Sequence, residues 1–201
     1  MALLILAACS GTGKSTLAAA LLKRQERLKL SVSHTTRDPR PGEIDGVHYH
    51  FVSKAHFEEL IAAGGFVEWA RYAGNLYGTA HEMITSTERA GDDLLFEVEV
   101  FGAAKLKEAY PRARSCFVLP PRWASLEERL RLRGTEDEAT IQRRISTGRE
   151  ELLAAERFDH LIVNDDFEDA LRELEAIYLA SKSLQREQRS TLERIIAESK
   201  A

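Results

Sequence analysis

Cysteine is scarce in this chain. Its 201 residues include two, Cys9 and Cys116, in unrelated segments and without metal-ligand spacing. The pair reads as two thiols in a reducing cytoplasm rather than as a disulfide. Long apolar runs are missing too. The N-terminal run Leu3-Leu4-Ile5-Leu6-Ala7 is too short for a signal peptide or a membrane span, so a cytoplasmic protein without a membrane partner is expected. An excess of basic charge is also absent. Lys and Arg total 28 against 32 Asp and Glu, a net charge of −4. This argues against nucleic acid as a partner and confines any anion site to a local Arg cluster. What remains is 44% hydrophobic and 30% charged, enough for one α/β domain with insertions and a soluble surface.

Against this background the run Ala8-Cys9-Ser10-Gly11-Thr12-Gly13-Lys14-Ser15-Thr16 stands out. It follows the apolar run and precedes a helix-friendly stretch from Leu17 to Leu28, the strand–loop–helix setting of a phosphate-binding loop. Gly11 and Gly13 permit positive φ and close backbone approach to a polyphosphate. Loop N–H groups and the N-terminus of the following helix aim donors and partial positive charge at the anion. Lys14 would reach the β/γ-phosphates, and the Ser15 hydroxyl would bind Mg²⁺. The bland reading is a Gly-rich turn before an ordinary helix. The strand before and the helix after favour a nucleoside-triphosphate site, although Ala8 stands where the pattern usually begins with Gly.

Further strand-like runs occur at Leu94–Val100, Ser115–Leu119 and Leu161–Val163. Helical patterns lie between and after them, at Thr16–Leu28, Gly102–Ala109, Ala124–Leu132, Glu138–Ala155 and Phe167–Leu179. The alternation predicts an α/β fold of three layers, a central parallel sheet with helices on both faces. One domain over residues 1–180 is expected, with its core at 1–30 and 90–180. Residues 31–88 break the rhythm and read as an inserted, mainly β, substrate-binding lobe. Residues 131–149 are dense in Arg and Glu and read as a mobile lid. Residues 181–201 read as a charged helical tail; its Leu184, Leu192, Ile195 and Ile196 keep no clean heptad, and solvation or a partner contact are both open.

Within the lobe, Ser33-His34-Thr35-Thr36-Arg37-Asp38-Pro39-Arg40 sets two guanidinium groups beside hydroxyls, a match to phosphate oxygens. Tyr49 and Tyr77 could add hydroxyls to the same phosphate, though either alone reads as packing. Glu68, between Phe66-Val67 and Trp69, is a half-buried carboxylate that needs donors. The N1–H and N2–H₂ of guanine supply two side by side; adenine has no such pair. Glu97 and Glu99 fall at i and i+2 on one face of an expected strand, calling for a cation or ligand donors unless the strand is a solvated edge. Mg²⁺, held partly through water, and substrate amino groups would both serve. Arg129, Arg131, Arg133, Arg143, Arg144 and Arg149 exceed what a solvated helix needs; most read as surface ion pairs, with a pair left for phosphates.

Together these residues resemble a guanylate kinase from about Leu3 to Leu179. The matching segments are Ser10 to Thr16, Ser33 to Glu43, Asp45 to Phe51, Phe66 to Ala70, Gly74 to Thr79, Arg131 to Glu136 and Ile162 to Asp166, in the family's order. The resemblance implies transfer of the γ-phosphoryl group of MgATP to GMP, with Mg²⁺ as cofactor and ATP and GMP as small-molecule partners. It implies an ATP site at Ala8, Cys9, Ser10, Gly11, Thr12, Gly13, Lys14, Ser15 and Thr16, with Asn164 near the adenine. Arg37, Arg40, Tyr49 and Tyr77 would hold the GMP phosphate. Glu68, with Ser33 and Thr79, would read guanine, helped by Glu97 and Glu99. Lys14, Arg37, Arg133 and Arg144 would be catalytic cations, and Ser15 with Glu97 would hold Mg²⁺ partly through water.

Three departures from the family stand out. Ala8 and Cys9 replace Gly and Pro, Glu97 and Glu99 replace two aspartates, and Phe101 replaces Gln. Each Glu is one methylene longer, a displacement of roughly 1 Å, and misplacement on that scale can cost about 10²-fold in rate. The departures keep a second reading in view, a non-catalytic guanylate-kinase-like interaction domain; a sugar-phosphate kinase fits Glu68 and the two tyrosines less well. Cys9 is expected as either a reactive, low-pKa thiol or a small filler.

Overall fold

The computed structural model describes residues 1–72, 74–132, 138–183 and 188–198. Strand β1 (Leu3–Ala8) is apolar throughout and runs through the middle of a five-stranded sheet. The other strands are β2 (Leu28–Leu30), β7 (Asp93–Glu97), β8 (Arg114–Leu119) and β9 (His160–Val163), in the order β2-β7-β1-β8-β9, all parallel. The period-two alternation of a strand divides the core. Leu4 and Leu6 face α1 (Lys14–Arg24) and α7 (Phe167–Lys182), joining Leu17, Leu21, Leu171 and Tyr178. Ile5 and Ala7 face the opposite layer, where Phe96, Leu106, Phe117, Leu126 and Ile145 gather beneath α4 (Val100–Ala109), α5 (Trp123–Leu132) and α6 (Glu138–Leu153). This is the expected three-layer α/β fold with a central parallel sheet. Among the described residues no helix is long and apolar enough to cross a membrane.

Two boundaries differ from expectation for physical reasons. Helix α1 stops at Arg24, and Leu28–Leu30 leaves it to pair with β7 as an edge strand. Strand β7 stops at Glu97, not Val100, so Glu97 and Glu99 do not share a strand face. The Val98 carbonyl is taken by the Lys14 ammonium at 2.9 Å, and Glu99 becomes the extended residue that opens α4.

A second sheet lies within residues 34–80, in the order β4-β3-β6-β5, formed by β3 (His34–Thr35), β4 (His50–Phe51), β5 (Phe66–Tyr72) and β6 (Asn75–Ala80). It is not only β. Helix α2 (Lys54–Ala62), capped by the Ser53 hydroxyl, stacks Phe57 on Phe66 at 4.5 Å, and α3 (His81–Ala90) leads back to the main sheet. The β5–β6 ladder slips between Phe66 and Glu68, which sets Glu68 opposite Thr79. In the tail, α8 (Arg189–Glu198) is exposed along its whole length.

Candidate active site

The phosphate loop leaves the carboxyl end of β1, where open α/β sheets place their ligands. Ala8 is still a strand residue, buried and in register with Val118, so a Cβ fits where the pattern usually has Gly. Cys9 is sealed, its thiol donating to the Gly148 carbonyl at 3.3 Å. Burial, then the nearby Glu151 carboxylate, pushes that thiol up to about 12, the direction of a small buried filler and away from a low-pKa reactive thiol. Gly11 (φ +97°) and Gly13 (φ +92°) lie in the left-handed region. A Cβ on Gly13 would stand 2.6 Å from the Asn164 amide nitrogen. Buried Thr12 closes the turn, its hydroxyl donating to the Cys9 carbonyl at 3.0 Å. Helix α1 opens at Lys14 with no side-chain cap and no acidic residue in its first turn, leaving its leading N–H groups to an anion.

Around this loop the expected residues converge. Lys14 lies between the Val98 carbonyl and the Glu99 carboxylate, 3.6 Å away. The Ser15 hydroxyl donates to the Glu97 carboxylate. Arg144 donates to the Ser10 hydroxyl oxygen at 3.3 Å. Thr16 is exposed on the first turn of α1, and Arg133 lies outside the described residues. Asn164 is buried behind the loop, where its amide donates to the Thr12 carbonyl at 2.6 Å. Arg129 reaches the Asn164 carbonyl from α5 at 3.2 Å, a support that sequence reasoning treated as one of many lid arginines.

The lobe supplies a second cluster. Arg37 forks onto Glu43 with two bonds of 2.9 Å and lies over the rings of Tyr49 and Phe51 at 5.5 and 5.7 Å. Arg40 is exposed, its backbone N–H also donating to Glu43. Tyr49 meets Tyr77 edge-on at 6.0 Å. Burial, Tyr77 and the Glu97 and Glu99 carboxylates together push the Tyr49 hydroxyl up to about 12. That ties the lobe electrostatically to the acidic residues beside the phosphate loop. Glu68 is 8% exposed and accepts a hydrogen bond from the Thr79 hydroxyl at 2.6 Å. Burial raises its pKa in spite of that donor. Gly102 makes room for it, since a Cβ there would stand 3.3 Å from Glu68 Oε2 at the first turn of α4. Ser33 is half-buried on the adjoining strand end, with its carbonyl accepting the His50 N–H at 2.9 Å.

Two residues of the site escaped the sequence reading. Glu43 is the resident partner of Arg37; the signal was a lone acid just after Pro41-Gly42. Glu151 on α6 is 8% exposed and stands beside the loop. Burial first, and the Glu99 carboxylate second, raise its pKa well above the carboxylate range, although the Ser10 N–H and Lys14 pull the other way. Its signal was the spacing of seven from Arg144, which places both on one helix face.

As for Mg²⁺, the donor chemistry fits. Ser15 and Glu97 bring a hydroxyl and a carboxylate oxygen into contact at the start of α1. Among the described residues no group of three or more His, Cys, Asp or Glu side chains gathers into a metal cage. Mg²⁺ suits such a sparse oxygen site, because it is usually held by one or two protein oxygens, water and substrate phosphates.

Comparison with known proteins agrees with this geometry. The family model for guanylate kinase matches residues 1–181. The chain is 49% identical to the guanylate kinase of Nostoc sp. over 173 residues, covering 86% of this chain and 87% of that protein. It is 46% identical to the guanylate kinase of Idiomarina loihiensis, covering 90% and 87%. The crystal structure of guanylate kinase from Anaplasma phagocytophilum superposes with a TM-score of 0.74 at 29% identity, covering 90% of this chain and 86% of that one. Nothing among these relatives favours the non-catalytic reading. On this evidence the chain belongs to the guanylate kinase family.

Proposed function

We propose that the loop at residues 8–16 holds MgATP and that the lobe presents GMP to it, so that the γ-phosphoryl group passes to GMP and leaves ADP and GDP. The observation that carries this reading is the convergence of two anion sites on one acidic seam. Lys14, Ser15 and the uncapped start of α1 gather at Glu97 and Glu99, and in the lobe Arg37 lies over Tyr49, whose hydroxyl feels the same two carboxylates. Arg37, Arg40, Tyr49 and Tyr77 take the GMP phosphate. Glu68, held by Thr79 and joined by Ser33, accepts the paired N–H groups of guanine. Lys14, Arg37, Arg144 and Arg133 neutralise charge on the phosphoryl group in flight.

The attacking phosphate oxygen is already anionic at neutral pH, so no side chain acts as base. Ser15 and Glu97 would hold Mg²⁺, which neutralises phosphate charge when bound. Glu99 serves Lys14 as counter-charge at 3.6 Å and, with Glu97, helps to meet a guanine amino group. Asn164 steadies the loop from behind as well as bordering the ATP site. The lobe at 31–88 and the lid at 131–149 close over both nucleotides and exclude water that would otherwise hydrolyse ATP. The work is done in the cytoplasm, in purine nucleotide metabolism. A coupled ADP-release assay on the pure protein with Mg²⁺, offering GMP, AMP, CMP or UMP, tests it. Turnover with GMP far above the other three is expected; no GMP-dependent ADP release would remove the enzymatic reading.

A further inference from the structure

We propose that the stacked imidazoles of His34 and His50 are positioning residues for the phosphate half of the lobe, and that GMP binding weakens when both carry a proton. This rests on the reading of Arg37, Tyr49 and Tyr77 as part of the GMP phosphate site. His34 and His50 stand opposite each other on the parallel strands β3 and β4, with ring centroids 4.6 Å apart and planes inclined by 33°. His34 also meets Phe66 edge-on at 5.5 Å, at the border of the small core of Phe57, Phe66 and Leu76. The pair sits where β4 is joined to β3. The His50 N–H donates to the Ser33 carbonyl and the Val52 N–H to the Thr35 carbonyl, each at 2.9 Å. The Thr35 hydroxyl accepts the Arg37 N–H at 3.2 Å. Tyr49 precedes His50 and Phe51 follows it, and the Arg37 guanidinium rests over both rings at 5.5 and 5.7 Å. Whatever seats β4 on β3 therefore seats that aromatic wall against Arg37.

Packing alone does not call for two imidazoles here. The His34 Nδ1 is buried and has no hydrogen-bond partner among the described residues, an arrangement that works against the fold. Two phenylalanines would fill the space without a sealed polar atom. What the imidazoles supply is a contact whose stability depends on pH. Neutral, they pack as flat rings. Protonated together, they set like charges directly opposite each other on adjacent strands. Burial first, then His50 and His56 on α2, lower the His34 pKa, and Asp45 and Glu82 on α3 oppose that shift without cancelling it. With the folded pKa lowered, the paired arrangement is stable above the ordinary His value of about 6.5 and is lost as pH falls through the lowered one. Strand β4 then loosens and draws Tyr49 and Phe51 away from Arg37, while the phosphate loop at residues 8–16 is left as it was.

The test is titration calorimetry of GMP, and separately of ATP with Mg²⁺, at about pH 8 and about pH 5.5, the range over which imidazole changes charge. It uses the full chain and its His50→Phe, His34→Phe and His50→Ala variants. GMP binding by the unaltered chain at the higher pH checks the underlying reading on its own. The GMP phosphate itself gains a proton near pH of about 6, and because it does so with every variant, the comparison between them isolates the imidazoles. His50→Phe keeps the stack and removes one charge, so it is expected to bind GMP within about 2-fold of the unaltered chain at the higher pH. On acidification the unaltered chain is expected to lose at least about 5-fold more GMP affinity than His50→Phe, with no such excess for ATP. His50→Ala, which removes a ring from the stack, is expected to weaken GMP by about 5-fold even at the higher pH. Should His50→Phe not fold, His34→Phe removes the other charge and must flatten the profile in the same way. A loss on acidification as steep in the Phe variants as in the unaltered chain overturns the proposal. So does full GMP affinity in His50→Ala, or an excess loss that ATP shows as well.

Discussion

Where the strands of the main sheet begin, Asp93 accepts the Ala2 N–H at 2.7 Å and the Tyr178 hydroxyl at 2.8 Å, and faces Lys182 at 3.1 Å. Where the strands finish, Glu151 is as deeply buried, keeps one oxygen without a partner and stands beside another acid. Burial pushes both pKa values up. At Asp93 the three donors outweigh burial and the pKa ends below the ordinary Asp value; at Glu151 burial wins. One end spends its polar groups on each other and stabilises the fold. The other end leaves groups under-satisfied, with Lys14, Ser15 and Glu97 gathered next to them, and perturbed acids of that kind mark functional sites.

That contrast can be broken from either end. The largest effect is expected at Lys14. Lys14→Ala should cost at least about 10³-fold in turnover, because charge neutralisation dominates phosphoryl transfer, with little change in melting temperature. Retained turnover would remove Lys14 from the chemistry. At the opposite end, Asp93→Ala should destabilise by about 3 kcal/mol in urea unfolding, since it strands a buried hydroxyl and an N–H, while KM for ATP and GMP stays put. A variant of full stability would show that the Asp93 network is ornamental. Glu68→Gln should raise KM for GMP by about 10-fold and leave ATP alone, as a guanine donor then meets a donor. An equal rise for both nucleotides would place Glu68 in packing instead.

The smallest effect is a pH dependence of opposite sign at the two ends. Asp93, with its pKa lowered in the fold, contributes stability above the ordinary Asp value near 3.9, and that contribution is lost as pH falls through its lowered folded value. Glu151, with its pKa raised, contributes most below the ordinary Glu value near 4.3, and loses that contribution as pH rises through its folded value. The melting temperature of Glu151→Gln relative to the unaltered chain should therefore climb from pH 5 to pH 8. A flat difference would mean that Glu151 is no more perturbed than a surface acid.

The sheet and the phosphate loop were legible because their signals are local. A short apolar strand, two glycines and Lys14-Ser15 specify a strand, a turn and a helix start within one stretch of chain. Arg37, Tyr49, Glu68 and Tyr77 were legible as candidates, although Glu68 faces Thr79 only through the slip in the β5–β6 ladder. What escaped was decided by distant partners. The end of β7 depends on Lys14 taking the Val98 carbonyl, 84 positions away in sequence. Helix α2 was hidden in a segment whose tyrosines and histidines suggested strands. Glu43 and Glu151 looked like ordinary surface acids, because nothing beside them in sequence reveals Arg37 or the loop as their company.

The Arg37–Glu43 fork gives the lobe one more property. The guanidinium is already ordered, held by two carboxylate bonds and flanked by two rings. On the proposed reading, a phosphate docking there would not organise a loose side chain; it would displace an anion already seated on the same guanidinium fork. Binding would then be an exchange between two anions, favoured by the larger charge of a phosphate over that of Glu43. A nucleoside without a phosphate has nothing to exchange. On that reading the lobe would admit ligands by charge before Glu68 compares their bases.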